Sequence, residues 1–282
     1  ARAPRSASAP RRTARPWLVP ADSEPMPGGL RAHALAGLPE IRPGDELAEL
    51  IVAAAGSPLH DGQVVAVAHK AVSKAEGAIV RLADVVPSER ARELAGARDK
   101  DPRAVQVVLD QSAEIVRAER DVLICRTHHG FVCANAGVDA SNASERHATA
   151  AAQTLVTLPR DPDASARRLR VRLGELTGAT VAVLVTDSFG RAWRHGQCDV
   201  ALGCAGMAPL EDWRGRRDAA GLELRATWLA VADAAAAAAD LARAKDSREP
   251  VVIIDGLQRF VTAADGPGAA ALIRPLAEDL FR

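Results

Sequence analysis

The sequence predicts an α+β fold built on a mixed sheet. Strand-like and helix-like segments are interspersed without a regular βαβ rhythm, several helices are amphipathic, and TVAVLVTDSFGR (residues 180–191) opens with a run apolar on both faces, as a central strand requires. Residues 30–41, LRAHALAGLPEI, alternate as a strand does. They turn at Pro39 and Pro43 into DELAELIVAAAG, a helix for which Asp45 is the expected N-cap. Val64 to Ala68 read as a buried strand, followed by a polar stretch that carries Lys70, Ser73, Lys74 and Glu76 and ends at Gly77.

PSERARELAGA (87–97) and PRAVQVVLDQSAEIVRAER (102–120) read as amphipathic helices, each opened by a proline. Residues 121–142 hold two short apolar strands around His128, His129 and Gly130, then a small-residue loop ending at Asp139 and Asn142. A helix over 163–177 closes at Gly178, and the central strand delivers Asp187, Ser188 and Arg191 at its end. The remainder reads as a Gly-broken segment (196–206), a loop DWRGRRDAAG, a strand ELRATWLAV, an Ala-rich helix over 233–244, a strand VVIID and a terminal helix carrying RPLAEDLFR.

The 282 residues, 48% hydrophobic and 26% charged, supply ample core for one large domain or two modest ones. Thirty-six Lys and Arg balance 36 Asp and Glu, which argues against a dedicated nucleic-acid binder or a polybasic membrane protein. Aromatics at 3%, with no Tyr, make base-stacking platforms improbable. The neutrality hides an asymmetry: Arg2, Arg5, Arg11, Arg12 and Arg15 stand in a head without acids, so acids are in excess beyond it. Residues 1–29 are expected to be a disordered basic leader, and 30–282 the functional domain. No run approaches the roughly 18 apolar residues of a membrane span, and Cys125, Cys133, Cys198 and Cys204 fit no zinc template. Buried thiols in a reducing cytoplasm are the expectation.

Phosphate-loop, dinucleotide, nucleophile-elbow and HExxH signatures are absent. Asp139 and Asp187 stand out because each follows an apolar run and opens into small polar residues, a setting for Mg²⁺ or Mn²⁺ with Ser188 adding a hydroxyl; an Asp ending a strand also serves as a turn cap. Lys74 offers a point charge to a triphosphate, or is a solvated turn lysine. His128 and His129, as strand neighbours, would face opposite ways, so one could enter a cleft, while a structural role is open to both. Arg191, Arg194 and His195 form a cationic cluster suited to steering an anion.

LPEI (38–41), SKAEG (73–77), HHGFVCANAGVDASN (128–142), TDSFGR (186–191) and DWRGRRDAAGLEL (212–224), in this order and spacing, resemble the coenzyme F420-0:L-glutamate ligase family over residues 30 to about 282. The resemblance implies a family-specific α+β fold with a substrate cleft, commonly homodimeric. It also implies GTP-dependent addition of L-glutamate to coenzyme F420-0 through an acyl phosphate, with longer γ-glutamyl tails open. The implied cofactors are Mn²⁺ or Mg²⁺ and K⁺.

By position, Asp139, Asp187 and Ser188 match metal ligands, and Leu38, Pro39, Glu40, Ile41, His69, Lys70, Lys74 and Asn142 match nucleotide contacts. Asp139, Asp187 and Lys74 would serve phosphoryl transfer, and on their charge alone His129, Arg191 and Arg194 are candidates to hold the coenzyme's phosphodiester or carboxylates. The chain departs from the family at ARAKDSREP (242–250), where a glycine- and acid-containing loop is usual: either Asp246 substitutes, one step from Lys245, or this part of the triphosphate site is altered. A non-catalytic nucleotide or coenzyme binder and a metal-dependent phosphohydrolase are the competing functions.

Overall fold

In the computed structural model the described residues are 29–97, 99–119, 121–139 and 153–280, so the expected leader, bar residue 29, and Asn142 lie outside them. The α+β class holds. The main sheet has five strands in the order β1 (Arg31–Ala34), β12 (Val251–Asp255), β2 (Val64–Ala68), β8 (Ala182–Arg191) and β9 (Arg194–Ala205). Only β2 and β8 are parallel neighbours; the other pairs are antiparallel.

Period-two alternation splits the sheet between two cores. Val65, Val67, Val183, Val185, Val251 and Ile253 face α1 (Leu47–Ala54) and α5 (Pro162–Thr177), which bury Ile51, Leu169 and Leu173 against them. Val64, Ala66, Ala182, Leu184, Val252 and Ile254 face α6 (Val231–Ala242), whose Ala232, Ala235 and Ala239 are small enough to let that helix lie close. Gly178 takes the left-handed turn that ends α5, at φ 73°, as the sequence requires. Close approach also fixes Gly203 on β9: a Cβ there would stand 2.1 Å from the backbone oxygen of Pro162. Gly203→Ala is therefore expected to cost more than about 2 kcal/mol, a fall in melting temperature of roughly 5 °C or more, because no side chain can swing away to relieve the clash. An unchanged thermal transition would contradict this packing.

A smaller unit extends from the sheet. It contains β3 (Ile79–Arg81) paired with β7 (Thr154–Val156), α3 (Glu89–Gly96), α4 (Pro102–Asp110), and an antiparallel sheet of β4 (Ser112–Glu119), β5 (Val122–Thr127) and β6 (Val132–Ala134) around Leu94, Val105, Leu123 and Cys125. A short hairpin, β10 (Leu210–Asp212) with β11 (Trp228–Ala230), precedes α6.

Several expectations are corrected. Asp45 does not cap α1; its carboxylate accepts the Arg42 N–H at 2.7 Å and closes the preceding turn. The helix expected over 102–120 ends at Asp110, and β4 takes over because Ile115 and Ala118 pair with Cys125 and Leu123 of β5. The Gly-broken segment is the twelve-residue strand β9. Only Trp228–Ala230 of the strand expected over 223–231 forms, and the terminal helix is a single 3₁₀ turn, Leu276–Glu278, bounded by extended backbone at Pro275 and Asp279. The four cysteines are free; Cys125, Cys133 and Cys204 are buried, and burial pushes the Cys133 thiol up to about 12. No described helix is long and apolar enough to cross a membrane.

Candidate active site

Parallel pairing of β2 with β8 ends at Ala68 opposite Thr186. The next residue on each chain is therefore His69, which opens α2 (His69–Ala75), and Asp187. Their side chains meet, with Asp187 Oδ1 3.4 Å from His69 Nε2. Lys70 Nζ lies 2.7 Å from Asp139 Oδ2. Asp139 exchanges both backbone hydrogen bonds with Val156, so it sits at a strand bridge and not in a free loop. One turn along α2, Lys74 pairs with Glu40 of the 35–45 loop; in that loop Leu38 and Ile41 pack into the main core and Pro39 is exposed. Four of the eight expected nucleotide contacts, Glu40, His69, Lys70 and Lys74, and both expected metal carboxylates thus gather at the shared end of β2 and β8.

Burial, then repulsion from Asp199 and Asp139, pushes the Asp187 acid up to about 7 against the pull of the Ser188 N–H and Lys70. Burial and Lys70 bring His69 down to about 4. His69 is accordingly neutral at pH 7, so its approach to Asp187 is no ion pair, and Nε2 has no hydrogen-bond partner among the described residues. Its Nδ1 faces Ser73 Oγ at 3.5 Å.

The two groups act on stability in opposite senses in metal-free protein. Asp187, with its folded value raised, contributes stability that is full below about pH 4 and is lost as pH rises through about 7. His69, with its folded value lowered, lets the unfolded chain bind the extra proton between about pH 4 and 6.5, so its contribution is regained over that interval. The slopes offset one another. Asp187→Asn is expected to expose the His69 slope, and its melting temperature should climb more steeply than wild type between pH 4.5 and 6.5; parallel profiles would show that the Asp187 acid is not raised in the folded protein.

Alternation along β8 sends Thr186 and Ser188 to the opposite face from Asp187. There they meet Asp199 of β9, a fully buried carboxylate that neither motif nor composition singles out. Asp199 accepts hydrogen bonds from Thr186 Oγ1 at 2.9 Å and Ser188 Oγ at 2.6 Å, and pairs with the Arg243 guanidinium. Arg243 also donates to Thr186 Oγ1 at 3.0 Å and the Pro250 carbonyl at 3.2 Å. Lys245 Nζ donates to Ser188 Oγ and Asp240 Oδ1, each at 2.6 Å. Ser188 is thus separated from Asp139 and Asp187, the other two expected metal ligands. A lone acid inside an apolar strand, as in CDVALGCA, was the available signal for Asp199, since a buried carboxylate needs a cation.

His129 occupies a turn, not a strand; its Nε2 meets the Pro159 and Arg160 carbonyls at 3.1 Å, and its ring stacks on Phe131, which meets Phe189 edge-on. His128 Nε2 meets the Asp110 carbonyl at 3.1 Å. Arg191 and Arg194 flank the exposed tip of the β8–β9 hairpin, where Arg191 donates to the His195 carbonyl at 2.7 Å. That tip is four residues beyond Asp187, about 13 Å along the strand. Two shallow depressions follow α5, one by Arg170 and Thr180, the other by Arg168 and Glu175; neither includes these groups. Among the described residues no three His, Cys, Asp or Glu side chains form a ready chelate.

The chain matches the sequence model of a family described as F420-0:Gamma-glutamyl ligase over residues 37–256. It is 44% identical over 260 residues to the coenzyme F420:L-glutamate ligase of Methanopyrus kandleri, covering 90% of this chain and 100% of that protein. It is 42% identical over 258 residues to the protein of the same name from Methanothermobacter thermautotrophicus, covering 90% and 99%. With the Methanocaldococcus jannaschii protein of that name it shares 40% identity over 248 residues, covering 87% and 94%.

Proposed function

Because the chain belongs to the F420-0:gamma-glutamyl ligase family, we propose that it joins L-glutamate to coenzyme F420-0 at the expense of GTP. The γ-phosphoryl group passes to a carboxylate oxygen of the coenzyme and GDP leaves. The glutamate amine then attacks the acyl carbon, loses a proton and expels inorganic phosphate, leaving an amide. The observation that carries this reading is the convergence of Asp139, Asp187, Lys70 and neutral His69 at one end of β2 and β8. Phosphoryl transfer asks for position and charge neutralisation more than for a protein nucleophile.

The donor set fits a divalent ion. Asp139 and Asp187 are hard oxygen donors, and His69 Nε2 beside Asp187 is a buried polar atom without a hydrogen-bond partner among the described residues. These two carboxylates would hold Mg²⁺ or Mn²⁺, which supplies neutralisation of the phosphate charge. Lys70 and Lys74, now on Asp139 and Glu40, would turn to phosphate oxygens. The hairpin arginines Arg191 and Arg194 would meet the anionic coenzyme. For K⁺ the residues do not fit in the same way: the oxygens of Ser188, Asp199 and Asp240 already receive the Lys245 ammonium. A homodimer with a cleft in each protomer completes the reading, and light scattering at twice the chain mass tests it.

Purified protein with GTP, Mn²⁺, L-glutamate and coenzyme F420-0 should yield GDP and a product heavier by one glutamyl unit in mass spectrometry. No such product with either Mn²⁺ or Mg²⁺ overturns the reading. Arg243 and Lys245 favour one competitor, a binder without turnover, since they fix cations in the loop at 242–250. Tight GTP binding without product would establish that competitor, and phosphate release independent of glutamate would instead indicate a hydrolase.

A further inference from the structure

The face of β8 opposite Asp187 carries a second charged cluster, to which the ligation steps proposed above assign no role. Asp199 is buried and Asp240, on α6, is largely so. Arg243 offsets one of these two carboxylates. The excess negative charge lies between Asp240, the second oxygen of Asp199, and the Ser188 hydroxyl. Lys245 reaches that point: its Nζ is 2.6 Å from Ser188 Oγ, 2.6 Å from Asp240 Oδ1 and 3.7 Å from Asp199 Oδ1. Oxygens of two carboxylates and a hydroxyl around one positive centre form a cation's coordination sphere, and the three-donor geometry of an ammonium suits it.

We propose that Lys245 is a tethered cation, holding between Ser188, Asp199 and Asp240 the place that a free monovalent ion of ammonium size would otherwise take. The ammonium does two things there. It brings the cluster to charge balance, with Arg243 and Lys245 against Asp199 and Asp240. It also orients Ser188, whose hydroxyl proton goes to Asp199 and one of whose lone pairs receives the ammonium. The loop at 243–250 is thereby fastened to the root of the β8–β9 hairpin. The inference rests on this geometry alone and stands whichever reaction the opposite face performs.

An ordinary surface ion pair would respond to ionic strength without regard to the ion. Thermal melting of substrate-free Lys245→Met therefore separates the two cases. Lys245 is itself largely exposed, so the variant folds. In choline chloride its transition should fall about 2–4 °C below wild type. KCl or NH₄Cl at the same ionic strength should restore most of that loss, LiCl should not, and wild type should melt alike in all four salts. Adding Asp240→Asn to Lys245→Met should remove the K⁺ and NH₄⁺ rescue. A variant that melts as wild type does, a loss equal in every salt, a rescue that survives Asp240→Asn, or a wild type stabilised by K⁺ to the same degree would each overturn the proposal.

Discussion

Asp187→Asn should fold normally and lose more than about 100-fold in glutamate-ligation rate, since even groups that merely support a metal ligand cost 10–100-fold when removed. The substitution conserves volume and takes away only charge. Asp187 is the acid that burial and two neighbouring carboxylates already penalise, so neutralising it removes a strained charge and leaves the core untouched. Its partner across the β2–β8 end, His69, is neutral and demands no counter-charge. Loss of turnover with an unaltered far-UV spectrum and a melting temperature at or above wild type at pH 7.5 is the expected combination. Activity within tenfold of wild type would remove Asp187 from the reaction.

Arg243→Met should have the opposite profile, a large loss of stability. Asp199 is wholly inaccessible, and Arg243 is its close charged partner; the remaining contacts are two hydroxyls and Lys245 Nζ at 3.7 Å. Removing one member of a buried pair leaves an uncompensated charge and typically costs 3–5 kcal/mol. The nearby Lys245 places the expected value at the lower end, about 3 kcal/mol in urea unfolding with the denaturant slope unchanged. Asp199→Asn in the same chain should recover a substantial part, because the orphaned charge goes with it. A loss below about 1 kcal/mol would show that Asp199 does not depend on the guanidinium.

What was legible in the sequence followed from contiguity. The β2 and β8 runs, the Gly178 stop and the poly-Ala face of α6 are local patterns, and the structure places them as the patterns ask. Residues 112–119 misled because SAEIVRAE satisfies a helical template; the strand is decided by β5, which lies beyond the window in which periodicity is read. The site divided in the same way. Asp139 and Asp187 were visible as acids ending apolar runs, and Lys70 and Lys74 as polar residues after β2. Asp199 and Arg243 were not, because 44 residues separate them and neither belongs to a motif. Ser188, adjacent to Asp187 in sequence, could be assigned to the other face only once the strand was seen to continue through both to Arg191.

The parallel β2–β8 register has a bearing on tolerance to insertion. A single residue added within 182–186 would advance Asp187 by about 3.3 Å and turn it toward α6, while exchanging the two hydrophobic faces. One added at the Ala192–Trp193 bend would disturb neither. Length variation should therefore be survivable at the hairpin's end and lethal at its base, where misfolding and misalignment are the same event.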